Sequence, residues 1–232
     1  MRTLYLDIFS GMSGDMFVGA LLDLGVDFKA LDRELRRLGL AGYHLHMDRR
    51  QKSGIQGVKF DVHIEGGLEG CDHDHDHDHD HSHSHDHGHA HPHGHGHEHA
   101  HEHPHPHPHP DASGNPTASR DLGDIRQIIH TSPLSGWVKE KSLAVFHRIA
   151  VAEGKIHGHP PERVHFHEVG ALDSIIDIVG SCVALEMLGK PRILAAPVVE
   201  GTGWVKCAHG RFPVPTPATL EILGARGIPL TQ

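Results

Sequence analysis

Apolar and polar positions form two patterned blocks, residues 1–68 and 120–232, on either side of a stretch with no apolar period. In the first block residues 3–9 alternate and are rich in Leu, Tyr and Ile, which predicts a strand. A glycine-rich turn, Ser10-Gly11-Met12-Ser13-Gly14-Asp15, follows. Met16, Phe17, Ala20, Leu21 and Leu24 then recur at helical spacing, and Gly25 closes that helix. Asp27 caps a second helix running to about Leu38, with Gly39 as its stop. Residues 43–48 and 55–64 alternate like strands around a Lys52-Ser53-Gly54 turn. His44, His46 and His63 lie on these strands and read as surface or cross-strand residues without a role.

The second block opens with a helix over residues 122–131, which ends before Pro133. Ser135 caps the next helix, whose stripe is Val138, Val145, Phe146, Ile149 and Ala150, with His147 as a structural residue on it. A third starts near Ala171 with Leu172, Ile175, Ile176, Val179, Cys182 and Val183 on one face. Residues 192–199 read as a strand. Pro213, Pro215 and Pro217 predict a rigid extended loop, and a short helix runs from Thr216 or Pro217 to Gly224. These elements give an α/β fold, a mixed sheet with flanking helices. Residues 1–68 and 120–232 are its two halves, and residues 69–119 form an insertion.

That insertion changes the picture. Histidine takes every second position from His73 to His109, 19 of the 29 in the chain, with Asp, Ser, Gly, Ala, Glu and Pro between. Such alternation leaves almost nothing to bury, so a disordered loop is expected. Imidazole is a common ligand for Zn, Cu and Ni, and His73, His75, His77 and His79 open the series. At four to six nitrogens per ion the tract has capacity for on the order of three or four ions. An expression tag is a poor explanation, because the run is internal and its spacers change along it.

The formal charge of −9 counts histidine as neutral and so says little about partners. No basic patch with interleaved aromatics points to nucleic acid. Asp7 and Asp15 interrupt the first apolar segment, and nowhere do 18 apolar residues run together, so no membrane span is expected. Cys71, Cys182 and Cys207 have no CxxC spacing, which argues against a disulfide framework. The expected location is cytoplasmic.

Two segments concentrate chemistry. Strand, glycine-rich turn and helix place backbone N–H groups at a helix N-terminus, where an anion binds. The turn lacks the lysine of a P-loop and has Asp7 and Asp15 near it, which suits a phosphate reached through a divalent cation. The alternative is that Ser13 simply caps the helix. Ser10, Gly11, Ser13, Gly14 and Asp15 are therefore candidate cofactor-binding residues. The second segment is His165-Phe166-His167-Glu168, followed by Asp173 and Asp177. His165 and His167, at i and i+2, point to one side of an extended segment. Asp173 and Asp177, at i and i+4, share a helix face and repel unless a cation lies between them. His165, His167, Glu168, Asp173 and Asp177 are candidate metal ligands. Cys207, His209 and Arg211 near the end are further polar groups of open role.

Three segments, DIFSGMSGDMFVGALLDLG, HFHEVGALDSIIDIVG and GTGWVKCAHGRFPVPTPATLEIL, together resemble the LarC family. These are the nickel-insertion proteins of lactate racemase cofactor maturation. The resemblance covers nearly all of the chain outside the histidine tract. It implies a nickel chelatase, or cyclometallase, that inserts Ni2+ into pyridinium-3,5-bisthiocarboxylic acid mononucleotide and depends on CTP with Mn2+ or Mg2+. It also implies a C-terminal CTP-binding domain or chain and, downstream, the lactate racemase apoprotein. Family members are normally longer than this chain, so the resemblance implies that it looks like their N-terminal part, either a fragment or a product encoded separately from its C-terminal partner.

Forming a nickel–carbon bond releases a ring proton, and His167 or Glu168 is the candidate catalytic base by chemistry. Two other readings are compatible with the residues. In one the chain is a non-enzymatic nickel store or chaperone; in the other a metal-dependent hydrolase uses the HFHE segment and the two aspartates.

Overall fold

The computed structural model describes residues 2–9, 11–65, 120–166, 171–207 and 210–231. The expected His-rich insertion, His73, His75, His77 and His79 included, lies outside these residues.

The chain begins with β1 (Thr3–Leu6) and enters α1 (Gly14–Asp23), which buries Val18, Gly19, Leu21 and Leu22. Then comes α2 (Phe28–Arg36), where the Asp27 carboxylate accepts from the Ala30 backbone N–H at 2.7 Å and serves as the expected cap. Strands β2 (Tyr43–Lys52) and β3 (Ile55–Ile64) form a ten-rung antiparallel hairpin. Its two-residue turn needs positive φ at both positions, and Ser53 and Gly54 adopt 51° and 81°.

Beyond the insertion, α3 (Leu122–Thr131) starts with a reciprocal capping box between Asp121 and Asp124. Helix α4 (Gly136–His157) is capped by Ser135, whose hydroxyl accepts from the Val138 N–H at 3.1 Å. Helix α5 (Leu172–Met187) buries eight residues, from Leu172 to Ala184, and packs against α1, α2, α4 and β3. It is the hub of a core that draws Leu21, Leu31, Leu35 and Phe60 from the first block and Ile125, Phe146, Ile175 and Ile176 from the second. Full burial of such side chains is worth about 1.5–3 kcal/mol each. Close approach is enforced at Gly19, where a Cβ would stand 2.5 Å from the Val58 carbonyl oxygen.

The α/β class holds, but among the described residues the strands form four two-stranded sheets rather than one. Strand β4 (Arg192–Ala195) pairs with β1 in parallel. The strand expected over residues 192–199 is divided near Pro197, which has no N–H to donate, and its second piece is β5 (Val198–Val199). Strands β6 (Trp204–Cys207) and β7 (Gly210–Pro213) fold back on each other, so the first part of the expected extended loop is a hairpin. Helix α6 (Pro217–Gly224) follows, and β8 (Leu230–Thr231) pairs with β5 in parallel.

Candidate functional site

Helix packing brings two of the sequence-selected segments together. The first turn of α1 lies against the first turns of α5, so closely that a Cβ on Gly14 would stand 2.7 Å from both Cβ and Oδ2 of Asp177. Glycine at position 14 is what admits the Asp177 side chain. Ser13 occupies the N-cap position of α1, yet its hydroxyl makes no capping hydrogen bond. Asp177 takes that part from another helix: the Asp15 backbone N–H donates to its carboxylate. The simple reading of Ser13 as the cap is thereby corrected.

Asp177 is half-buried, and its Oδ1 is enclosed without a hydrogen-bond partner. Burial raises its pKa from 3.8 to about 7; the nearby charges of Asp15 and then Asp173 push in the same direction, and the Asp15 N–H opposes them. The carboxyl is therefore poised between neutral and charged near neutrality. A carboxylate with one oxygen enclosed without a donor and like charges nearby is what a bound cation would relieve. Asp173 is exposed at the start of α5, its carboxylate accepting from the Ser174 N–H at 2.8 Å.

The three aspartates do not converge as closely as three donors on one ion. Among the described residues only His46, Asp61 and His63 place three such atoms within 4.8 Å of one another. A cation at Asp177 would complete its shell with water or with oxygens of a bound phosphate, as Mg2+ and Mn2+ do. The donor set fits a hard ion, being all oxygen.

His165 is exposed and its backbone bridges Asp121 at the start of α3. Ser10, His167, Glu168 and His209 lie outside the described residues. Gly11 has φ 76°, which glycine tolerates and most residues do not. Beside this loop an open groove of about 450 Å³ runs between β1 and α1, with Tyr5, Asp7, Phe9, Met12 and Met16 along it. Phe9 is 75% exposed and Tyr5 61%. In the tail, the Arg211 guanidinium stacks on Trp204, 5.0 Å from the ring centroid. The groups that sequence reasoning misses are Gly14, as the space for Asp177, and the His46, Asp61 and His63 trio. The second was visible in principle, since two alternating pairs flanking a two-residue turn must meet across the hairpin.

A family described as nickel insertion protein matches residues 4–231. The chain is 44% identical over its whole length to the pyridinium-3,5-bisthiocarboxylic acid mononucleotide nickel insertion protein of Geobacillus kaustophilus, covering 46% of that protein. To the protein of the same name from Lactiplantibacillus plantarum it is also 44% identical over its whole length, covering 48%. With the one from Desulfitobacterium hafniense it shares 41% over 99% of its length, covering 44%. The chain thus spans about half the length of the curated relatives it matches. No solved structure matches it significantly. No helix among the described residues is long and apolar enough to cross a membrane. With residues 4–231 matched from end to end, the chain belongs to the nickel insertion protein family.

Proposed function

We propose that this chain carries out nickel insertion into pyridinium-3,5-bisthiocarboxylic acid mononucleotide, as the N-terminal part of a CTP-dependent chelatase that supplies lactate racemase. The reading is supported by the family match along the whole chain and by the names of relatives sharing 44% of its residues. Ni2+ is the cargo, collected by the histidine tract. The site is the contact between α1 and α5, and the observation that carries it is the Asp177 Oδ1, an oxygen enclosed without a donor on a carboxylate that has two further carboxylates nearby.

In this reading Asp177, with Asp15 and Asp173 near it, holds the Mn2+ or Mg2+ that accompanies a nucleotide phosphate. The Asp15 N–H is already engaged and the Asp177 carboxylate, with the charges of Asp15 and Asp173 near it, sits at the helix N-terminus, so a bare phosphate is repelled there. A metal ion reverses that sign and lets the Gly11–Asp15 turn meet the phosphate. The groove lined by Phe9, Met12 and Met16 offers the apolar and aromatic surface that a pyridinium ring needs. His165 and His167 are assigned to nickel by their imidazoles, and the ring proton lost as the nickel–carbon bond forms goes to His167 or Glu168.

The test combines the chain with the remaining half of a relative, Ni2+, CTP, Mn2+ and the mononucleotide precursor, and detects the nickelated product by mass. An Asp177→Ala, Asp173→Ala pair should abolish product. Full turnover by that pair would remove the site. The second reading, a nickel store, is favoured by the 19-histidine tract. Deleting residues 72–110 separates the two, because an inserting protein keeps turnover when nickel is plentiful and a store loses its function.

A further inference from the structure

The β2–β3 hairpin turns Tyr43 and Phe60 into the core, with Leu45, Val58, Val62 and Ile64 packed beside them. Alternation therefore sends His44, His46, Asp61 and His63 to the opposite face. The register sets His44 across from His63 and His46 across from Asp61. The His63 ring stacks on His44 with centroids 5.0 Å apart and meets His46 edge-on at 5.8 Å. One nitrogen each from His46 and His63 and one Asp61 oxygen all lie within 4.8 Å of one another.

We propose that His46, Asp61 and His63 form a labile binding site for a borderline divalent transition-metal ion, of the Ni2+ or Zn2+ class, on the outer face of this hairpin. Two imidazoles and a carboxylate select such ions over Ca2+ and Mg2+, which take oxygen ligands. Donors around one such ion sit about 2.0–2.2 Å from it and so about 3–3.5 Å from each other. The donor atoms, within 4.8 Å of one another, need to draw together by up to about 1–2 Å, which side-chain rotation provides. Lys59 Nζ lies 3.2 Å from Asp61 Oδ1 and is the contact that an ion would displace or share. Both histidines are exposed, so the remaining coordination positions are open to water and the ion can leave. This site is independent of Asp15, Asp173 and Asp177 and of the reaction proposed for them.

The test is a Zn2+ titration of the full 15N-labelled chain, followed at backbone amides and continued until the tract histidine signals stop changing. Zinc is diamagnetic, so the hairpin signals can be followed throughout. The Leu45 and Val62 amides, each beside ligands, should move and saturate. In His46→Ala, His63→Ala they should need at least about tenfold more zinc, since two of three ligands are gone. Should alanine disturb the hairpin spectrum without metal, the His46→Gln, His63→Gln pair keeps polar side chains on the strand and carries the same expectation. Hairpin amides that stay still, or that move equally in the substituted chain, overturn the proposal.

Discussion

Replacing Asp177 by asparagine keeps the shape of the neutral carboxyl and removes its ability to ionise. In the folded chain this group holds its proton up to about pH 7, whereas its ordinary value is 3.8. Between those limits the folded state binds more protons than the unfolded state, so Asp177 lowers stability as pH rises through the window. Below it both states are protonated and the contribution vanishes; above about pH 7 the full penalty applies. The displacement corresponds to about 4 kcal/mol. Because part of the side chain still meets solvent, screening reduces the expected effect to about 2 kcal/mol.

The substituted side chain would still accept from the Asp15 N–H, and its amide can donate toward the neighbouring carboxylates. The difference in unfolding free energy between Asp177→Asn and the natural chain should therefore be near zero at pH 4 and rise to about 2 kcal/mol in favour of the variant at pH 8. Urea denaturation with a chelator present measures it. Tract histidines titrate in both chains alike and cancel in the difference. A difference that stays flat from pH 5 to 8, or a variant less stable at pH 8, would refute the buried and repelled carboxylate.

Three further outcomes follow from the structure. Mg2+ should raise the thermal midpoint of the natural chain at pH 8 and leave that of Asp177→Asn unmoved, since binding to the folded state alone stabilises it. Gly14→Ala should lower stability by about 1–3 kcal/mol despite the helix preference for alanine, because its Cβ lands 2.7 Å from Asp177; unchanged stability by denaturation would mean the helices are farther apart. Asp27→Ala should cost about 1 kcal/mol in the same assay through loss of the α2 cap, and Asp27→Ser should recover most of it.

Helices are closely legible in the sequence because their signals are local. Leu122–Thr131 falls where its apolar spacing and Pro133 put it, and Asp27 and Ser135 cap as their positions imply. The tail is less legible. Prolines 213, 215 and 217 state that the chain is extended, but not that residues 204–207 return to pair with 210–213, a choice made by partners and not by propensity. Within the site, i and i+4 spacing reveals that Asp173 and Asp177 share a face, and nothing local reveals what the face meets. The answer lies about 160 residues away, at a glycine whose only signature is a missing side chain.

On the proposed reading the chain keeps two kinds of metal apart by ligand chemistry. The aspartates between α1 and α5 present oxygen alone, which holds Mg2+ or Mn2+ and competes poorly for nickel. Imidazoles dominate the tract and the hairpin face, where nickel outcompetes the hard ions. A protein that must handle Ni2+ while using a nucleotide-bound ion has to prevent exchange of the two. Crossed titrations test the separation: Mg2+ should leave the Leu45 and Val62 amides in place, and substoichiometric Ni2+ should leave the pH dependence conferred by Asp177 intact. Nickel that removes that pH dependence before it fills the imidazole sites would show that the aspartates are themselves a nickel site, and the division of ligands would fall.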